Sequence, residues 1–271
     1  MEKCKYCGKP YKLNNLAFLK ALSPEIQEKL KYIPDCDCLE KEKQFTLEKL
    51  ERKRQQDCLK GKMRAYRDIS IIDKKFINST FTNADMTSNA MEVAKQYAEQ
   101  FIQEGTAPVG LLFHGNVGTG KTFASACISN ALTDANKTVM VLSIGLYINK
   151  LQREWAEAEN NVLEHVKGCD LLVIDDLGVE KVTEFVKDKV FMLIDTRYRT
   201  GKPVIVTTNL ELKNDGLTEK QIQEGLSIES RFGSRISDRL AEMCQVCAVT
   251  GKSWRGQDTR QKFVNFMRGN N

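Results

Sequence analysis

Gly115-Asn116-Val117-Gly118-Thr119-Gly120-Lys121-Thr122 fits the phosphate-binding pattern GxxxxGK[ST], and its flanks decide how it is read. Before it, Val109-Gly110-Leu111-Leu112-Phe113-His114 is a short apolar run with the composition of a buried strand. After it, the run from Phe123 to Leu132 has the composition of a helix. Strand, glycine loop and helix in that order let backbone N–H groups wrap phosphate oxygens at a helix N-terminus, where the dipole favours negative charge. Lys121 is then expected to reach the terminal phosphates, and the Thr122 hydroxyl to ligate Mg2+. Gly115 to Thr122 therefore predict binding of ATP or GTP.

Working outward, Asp170-Leu171-Leu172-Val173-Ile174-Asp175-Asp176 is an apolar strand ending in two carboxylates, the Walker-B pattern. Asp175 is expected to hold Mg2+, directly or through water, and Asp176 to polarise the attacking water. Lys202 to Asn209 reads as another buried strand, placing Asn209 beside the γ-phosphate, where it can bond the attacking water; a plain strand-end asparagine is the other reading. Thr138–Ser143 is a further strand. Helical patterns cover Asn89–Gln103, Leu146 to about His165, and Val182–Tyr198. Strands alternating with helices predict an α/β fold, a mostly parallel sheet covered on both faces, with the ligand at the strands' C-terminal ends.

The stretch Glu229 to Leu240 spaces Arg231, Arg235 and Arg239 four apart, which on one helix puts them on one face. Arginine suits a transferring phosphate presented by a neighbouring subunit. Salt bridges to the helix's own acids are the alternative. Val246–Val249 reads as the last strand, so Cys244-x-x-Cys247 is expected to pack rather than bind metal.

The front of the chain is different. Cys4-x-x-Cys7 and Cys36-x-Cys38 bracket residues 1–38, with Gly8 and Pro10, then Pro34-Asp35, as turn residues beside them. Thiolates from two tight turns supply the four tetrahedral ligands Zn2+ prefers, and a segment this short can hardly hold a core of its own. Structural Zn2+ on Cys4, Cys7, Cys36 and Cys38 is the expectation; reduced thiols or a redox pair are the alternatives. Residues 39–69 read as a charged helical linker, a solvated face or a docking arm, and residues 70–271 as the nucleotide domain.

The chain has 271 residues and a net charge of +5, unevenly spread: residues 1–75 carry 19 Lys/Arg against 12 Asp/Glu. A basic front suits a polyanion or an acidic partner surface, although a solvated helix face looks much the same. No apolar run approaches the ~20 residues that cross a bilayer, and Met1-Glu2-Lys3-Cys4-Lys5 lacks a signal-peptide core. A cytoplasmic protein with no membrane partner is expected, its nine cysteines thiols or ligands rather than disulfides.

Taken together, GNVGTGKT, LLVIDDLG, VIVTTN, SRISDRL and GKSWR resemble the DnaC/DnaI-type helicase loaders and their relatives, the IstB transposition ATPases, within the AAA+ superfamily. The resemblance covers roughly residues 70–258. It implies a five-stranded P-loop sheet, ATP rather than GTP, and ATP sites completed between subunits of an oligomer of this chain. By that analogy Arg239 looks like the arginine finger, Arg235 its companion, and Arg255 the sensor-2 contact to nucleotide. Tyr147 to Trp155 looks like the extra helix with which this clade touches single-stranded DNA; core aromatics are the alternative. The cysteine-bracketed front is similar to the DnaI-type loaders, where that domain grips the replicative hexameric helicase. The expected function is ATP-dependent loading of that helicase on single-stranded DNA; an IstB-like transposase helper and a nucleotide-gated adaptor are the alternatives.

Overall fold

Alternation inside the apolar runs sends successive side chains to opposite faces of one sheet, and both faces are buried. The computed structural model describes residues 3–15, 21–33, 35–70, 76–86, 88–254, 264, 267 and 268, without the side chains of residues 69 and 153–158. Residue contacts divide the chain after Lys60 into two units.

In the first unit, β1 (Lys12–Leu13) pairs antiparallel with β2 (Tyr32–Ile33), and α1 (Pro24–Lys29) lies between them in sequence. Lys12 and Asp35 form an exposed ion pair at 2.7 Å. Cys4 is the one fully buried apolar side chain among the described residues up to Lys60, so apolar burial contributes little here. The charged stretch that follows is a single helix, α2 (Cys38–Ile69). Its last turns belong to the second unit: the Tyr66 ring meets His165 edge-on at 5.1 Å, and Ser70 Oγ accepts the Val141 N–H at 3.0 Å.

The second unit continues with α3 (Asn89–Glu104), β3 (Gly110–His114), α4 (Lys121–Asp134), β4 (Val139–Ser143), α5 (Ile144–Gly168), β5 (Leu171–Leu177) and α6 (Glu184–Thr200). It ends with β6 (Val204–Thr208), α7 (Glu219–Gln223), α8 (Ile228–Phe232), α9 (Ser234–Met243) and β7 (Cys244–Ala248). The five strands β4-β5-β6-β3-β7 form one parallel sheet. Leu111, Phe113, Val141, Val173 and Ile205 pack on one face with α3 and α4; Leu112, Leu142, Leu172, Ile174 and Val206 pack on the other with α5, α6 and α9. Strand order puts β6 between the strand that feeds the glycine loop and the strand that carries the two acids. Cys244 and Cys247, three apart on β7, fall into opposite cores and pack as expected.

Two expectations need correction. Glu229–Leu240 is not one helix: Gly233, at φ 96° and ψ 161°, ends α8 before α9 starts. Arg231 therefore does not share a face with Arg235 and Arg239. Tyr147 is 1 % exposed inside the core, so its ring cannot stack on a base in this conformation. Trp155 and Arg153 have side chains outside the described residues. Among the described residues, no helix is long and apolar enough to cross a membrane.

Candidate nucleotide and metal sites

The loop between β3 and α4 has the backbone its glycines permit. Gly115, Gly118 and Gly120 sit at φ 139°, 83° and 103°, where L side chains are strained. At Gly115 a Cβ would also stand 2.3 Å from the Val249 carbonyl oxygen. The segment after β7 closes on the loop there: the Val249 N–H donates to His114 O at 2.7 Å, and the Trp254 N–H to Gly118 O at 2.9 Å. Thr119 Oγ1 donates to Asn116 O at 2.9 Å and braces the turn. Lys121, 5 % exposed, donates from Nζ to the carbonyls of Gly115 at 2.8 Å and Asn116 at 2.7 Å. Asn116 and Val117 complete the turn, and Thr122 opens α4 beside Lys121. This brings a cation and the N-terminal end of α4 to one mouth, the elements of an anion site. Arg255 lies outside the described residues.

The two acids emerge from a break in the sheet. The β5–β6 register slips between Ile174 and Leu177, and Asp176 takes a left-handed φ of 53°. The slip turns Asp175 and Asp176 out of the ladder. Thr207 of β6, fully buried, fills the gap: its hydroxyl donates to Asp175 Oδ1 at 2.7 Å and accepts the Asp176 N–H at 2.9 Å. Next along β6, Thr208 Oγ1 donates to Leu177 O at 2.7 Å. Asn209 follows immediately and is exposed. Beyond the acids, Arg231 of α8 donates to the Gly178 carbonyl, and the Gly178 N–H donates to Glu180 Oε1 at 3.2 Å. Burial raises the Glu180 carboxyl above its usual range.

Of the remaining arginines, Arg235 is exposed on the first turn of α9. Arg239, one turn on, is docked against α6 of its own chain. Its Nη2 lies 2.6 Å from Asp195 Oδ1, and its guanidinium stands 4.5 Å from the Phe191 ring centre and 5.4 Å from that of Tyr198. Arg199 donates to the other oxygen of Asp195 at 2.7 Å. The acid that pairs with Arg239 thus comes from α6, not from its own helix.

In the first unit, Cys4, Cys7, Cys36 and Cys38 bring four sulfurs within 4.8 Å of one another. Tetrahedral Zn2+ with bonds of about 2.3 Å needs sulfurs roughly 3.8 Å apart, so the donor set fits. The Cys7 and Tyr6 backbone N–H groups hold the Cys4 thiol down to about 6, while hydrogen bonds to Cys7 and Cys36 push Cys38 up to about 12. Four thiols this close cannot all ionise without a cation. The first turn is fixed by the Gly8 N–H on Cys4 O at 2.9 Å and the Cys4 N–H on Lys9 O at 2.8 Å. Among the described residues no other group of His, Cys, Asp or Glu is arranged for a metal.

A glycine loop on the strand beside β6, acids on the strand beyond it, and an arginine-bearing helix after it define a P-loop domain of the AAA+ type. Residues 39–262 match the family described as IstB-like ATP binding protein, and this chain belongs to that family. It is similar to the replicative helicase loader DnaI of Bacillus subtilis (strain 168), 24% identical over 265 residues, covering 94% of this chain and 79% of that one. It is also similar to the replicative helicase loader DnaC of Escherichia coli (strain K12), 29% identical over 155 residues. That match spans 56% of this chain and 57% of DnaC's length. A crystal structure of DnaI superposes with a TM-score of 0.54 at 23% identity, over 69% of this chain and 95% of that one, which establishes the likeness of fold.

Proposed function

We propose that this chain is an ATP-dependent loader of a replicative hexameric helicase onto single-stranded DNA. The observation that carries the reading is the match to DnaI along 94% of the chain, too long to be confined to the P-loop domain. The geometry supports an ATPase within it. Lys121 neutralises the terminal phosphates, and Thr122 and Asp175 are the ligands for Mg2+. Bound there, Mg2+ would offset the negative charge that develops on the phosphate during transfer. Asp176 takes the proton of the attacking water, Asn209 orients it, and Arg255 contacts the nucleotide. Arg239, with Arg235 beside it, serves the site of a neighbouring copy and stabilises the transition state there. Its anchor on Asp195, Phe191 and Tyr198 would hold it rigid for that task.

In this reading the Zn2+-stapled front binds the helicase and the P-loop domain holds DNA, releasing its cargo on hydrolysis. A second reading, an ATPase that assists a transposase, follows from the resemblance to the IstB transposition ATPases, whose family model matches residues 39–262. Tagged chain recovered from its source cell with ATP present separates the two. A replicative helicase in the eluate, lost when Cys4 and Cys36 are replaced by Ser, is the expected result. A transposase in its place overturns the loader.

A further inference from the structure

The Walker-B acids do not hold themselves in place. β5 lies between β4 and β6, so polar side chains at the level of the acids come from those two strands: Ser143 of β4 stands opposite Asp175, and on β6 a hydroxyl bonds both acids. That hydroxyl belongs to Thr207, flanked by Val206 opposite Ile174 and Thr208 opposite Leu177. Two residues of β5, Asp175 and Asp176, face the single Thr207 of β6, and an irregularity of this kind leaves backbone groups unpaired in that ladder. Thr207 spends both capacities of its hydroxyl there, the proton on Asp175 Oδ1 and a lone pair on the Asp176 N–H. It is 0% exposed, so water does not compete for either bond.

We propose that Thr207 is a positioning residue for nucleotide hydrolysis: one hydroxyl fixes the rotamer of the metal-binding Asp175 and the left-handed backbone of the water-activating Asp176. The inference rests on the ATPase reading above. A carboxylate offers about four lone-pair sites, so a bond to one oxygen selects its orientation and leaves capacity for a metal or its water. Asp176 at φ 53° is strained for a non-glycine residue, and such a conformation persists only where its surroundings impose it. The Thr207 acceptor is the visible constraint. The residue thus couples the two acids, so that metal binding and water activation are set together. Partners that orient a metal-binding carboxylate change metal affinity roughly ten- to hundred-fold when removed.

Thr207→Val keeps shape and burial but removes both bonds; Thr207→Ser keeps the hydroxyl. In the nucleotide-free full chain, the Asp176 amide of Thr207→Val should exchange with deuterium at least about ten-fold faster, with Thr207→Ser near wild type. The Mg2+ concentration that half-saturates tight binding of a fluorescent ATP analogue should rise about ten-fold in Thr207→Val and recover in Thr207→Ser. Affinity without Mg2+ should stay unchanged. Turnover should fall with little change in KM, since the bonds act on acids rather than on phosphate contacts. A folded Thr207→Val with wild-type exchange and Mg2+ dependence overturns the proposal alone. A wild-type chain that binds no nucleotide at any Mg2+ concentration overturns the ATPase reading, and this inference with it. Should Thr207→Val fail to fold, Thr207→Ser combined with urea titration decides: a loss of Mg2+ dependence in a stable Ser variant also counts against it.

Discussion

Lys121 Nζ donates to the carbonyl of Gly115, six residues back, at 2.8 Å, so the loop's cation is held by the loop's own first residue. In the proposed site, phosphate would displace that bond and the one to Asn116. The exchange is favourable because an ionised phosphate oxygen is a stronger acceptor than a peptide carbonyl. Replacing Lys121 by Ala removes a charge-assisted contact of about 1.5–3 kcal/mol. ATP affinity should therefore fall about ten- to hundred-fold by isothermal titration calorimetry. Unchanged affinity would remove the basis for placing phosphate at this loop.

If Arg239 acts in a neighbouring copy, turnover per chain should rise with protein concentration. Arg239→Ala should bind ATP normally yet hydrolyse it about a thousand-fold more slowly. Mixing it with Lys121→Ala should restore activity that neither variant has alone, because mixed neighbours contain one intact site. Mixtures as inactive as their components would place Arg239's role within its own chain, as a brace on α6.

Arg197 is fully buried on α6 and donates to the carbonyls of Val166, Cys169, Asp170 and Pro203 at 2.7–3.1 Å. It joins the end of α5 to the starts of β5 and β6. Arg197→Ala leaves several of these carbonyls without their donor and should cost about 3 kcal/mol in urea unfolding. Arg197→Lys should recover only part of it, since one ammonium cannot fan out to carbonyls on three elements. A loss within ±0.5 kcal/mol, ordinary for a surface change, would show that water replaces the arginine.

Zinc content should be one ion per chain and should drop to none in Cys36→Ser, with nucleotide binding retained. Thiolate ligands compete with protons, so metal affinity should weaken as pH falls. Metal analysis after dialysis across a pH series reads this directly. One ion per chain persisting in Cys36→Ser would place the metal outside these four cysteines.

Much of the P-loop fold was legible because the central parallel strands, buried on both faces, are continuous apolar runs ending in polar residues. The positions of Gly115 to Thr122 after β3, and of Asp175 and Asp176 at the end of β5, were legible that way. Thr207 was not, because its partners are set by which strand lies beside β5, and sequence order does not state that. The arginines between Glu229 and Leu240 misled for a different reason: their even spacing outweighed Gly233, whose positive φ is what ends α8. Arg197, inside Asp195-Thr196-Arg197-Tyr198-Arg199, carries no sequence signal that separates it from its charged neighbours. Only the convergence of three elements on it explains its burial.

Asp176 is one of two described non-glycine residues with positive φ, the other being Asn136. Glycine would relax that backbone at no steric cost, so Asp176→Gly should gain a few tenths to about 1 kcal/mol while deleting the carboxylate. If Asp176 activates the attacking water as proposed, a selection for heat resistance alone would then enrich chains that have lost turnover. Thermal hardiness and chemistry compete here for a single codon, and the natural residue marks which of them has been kept.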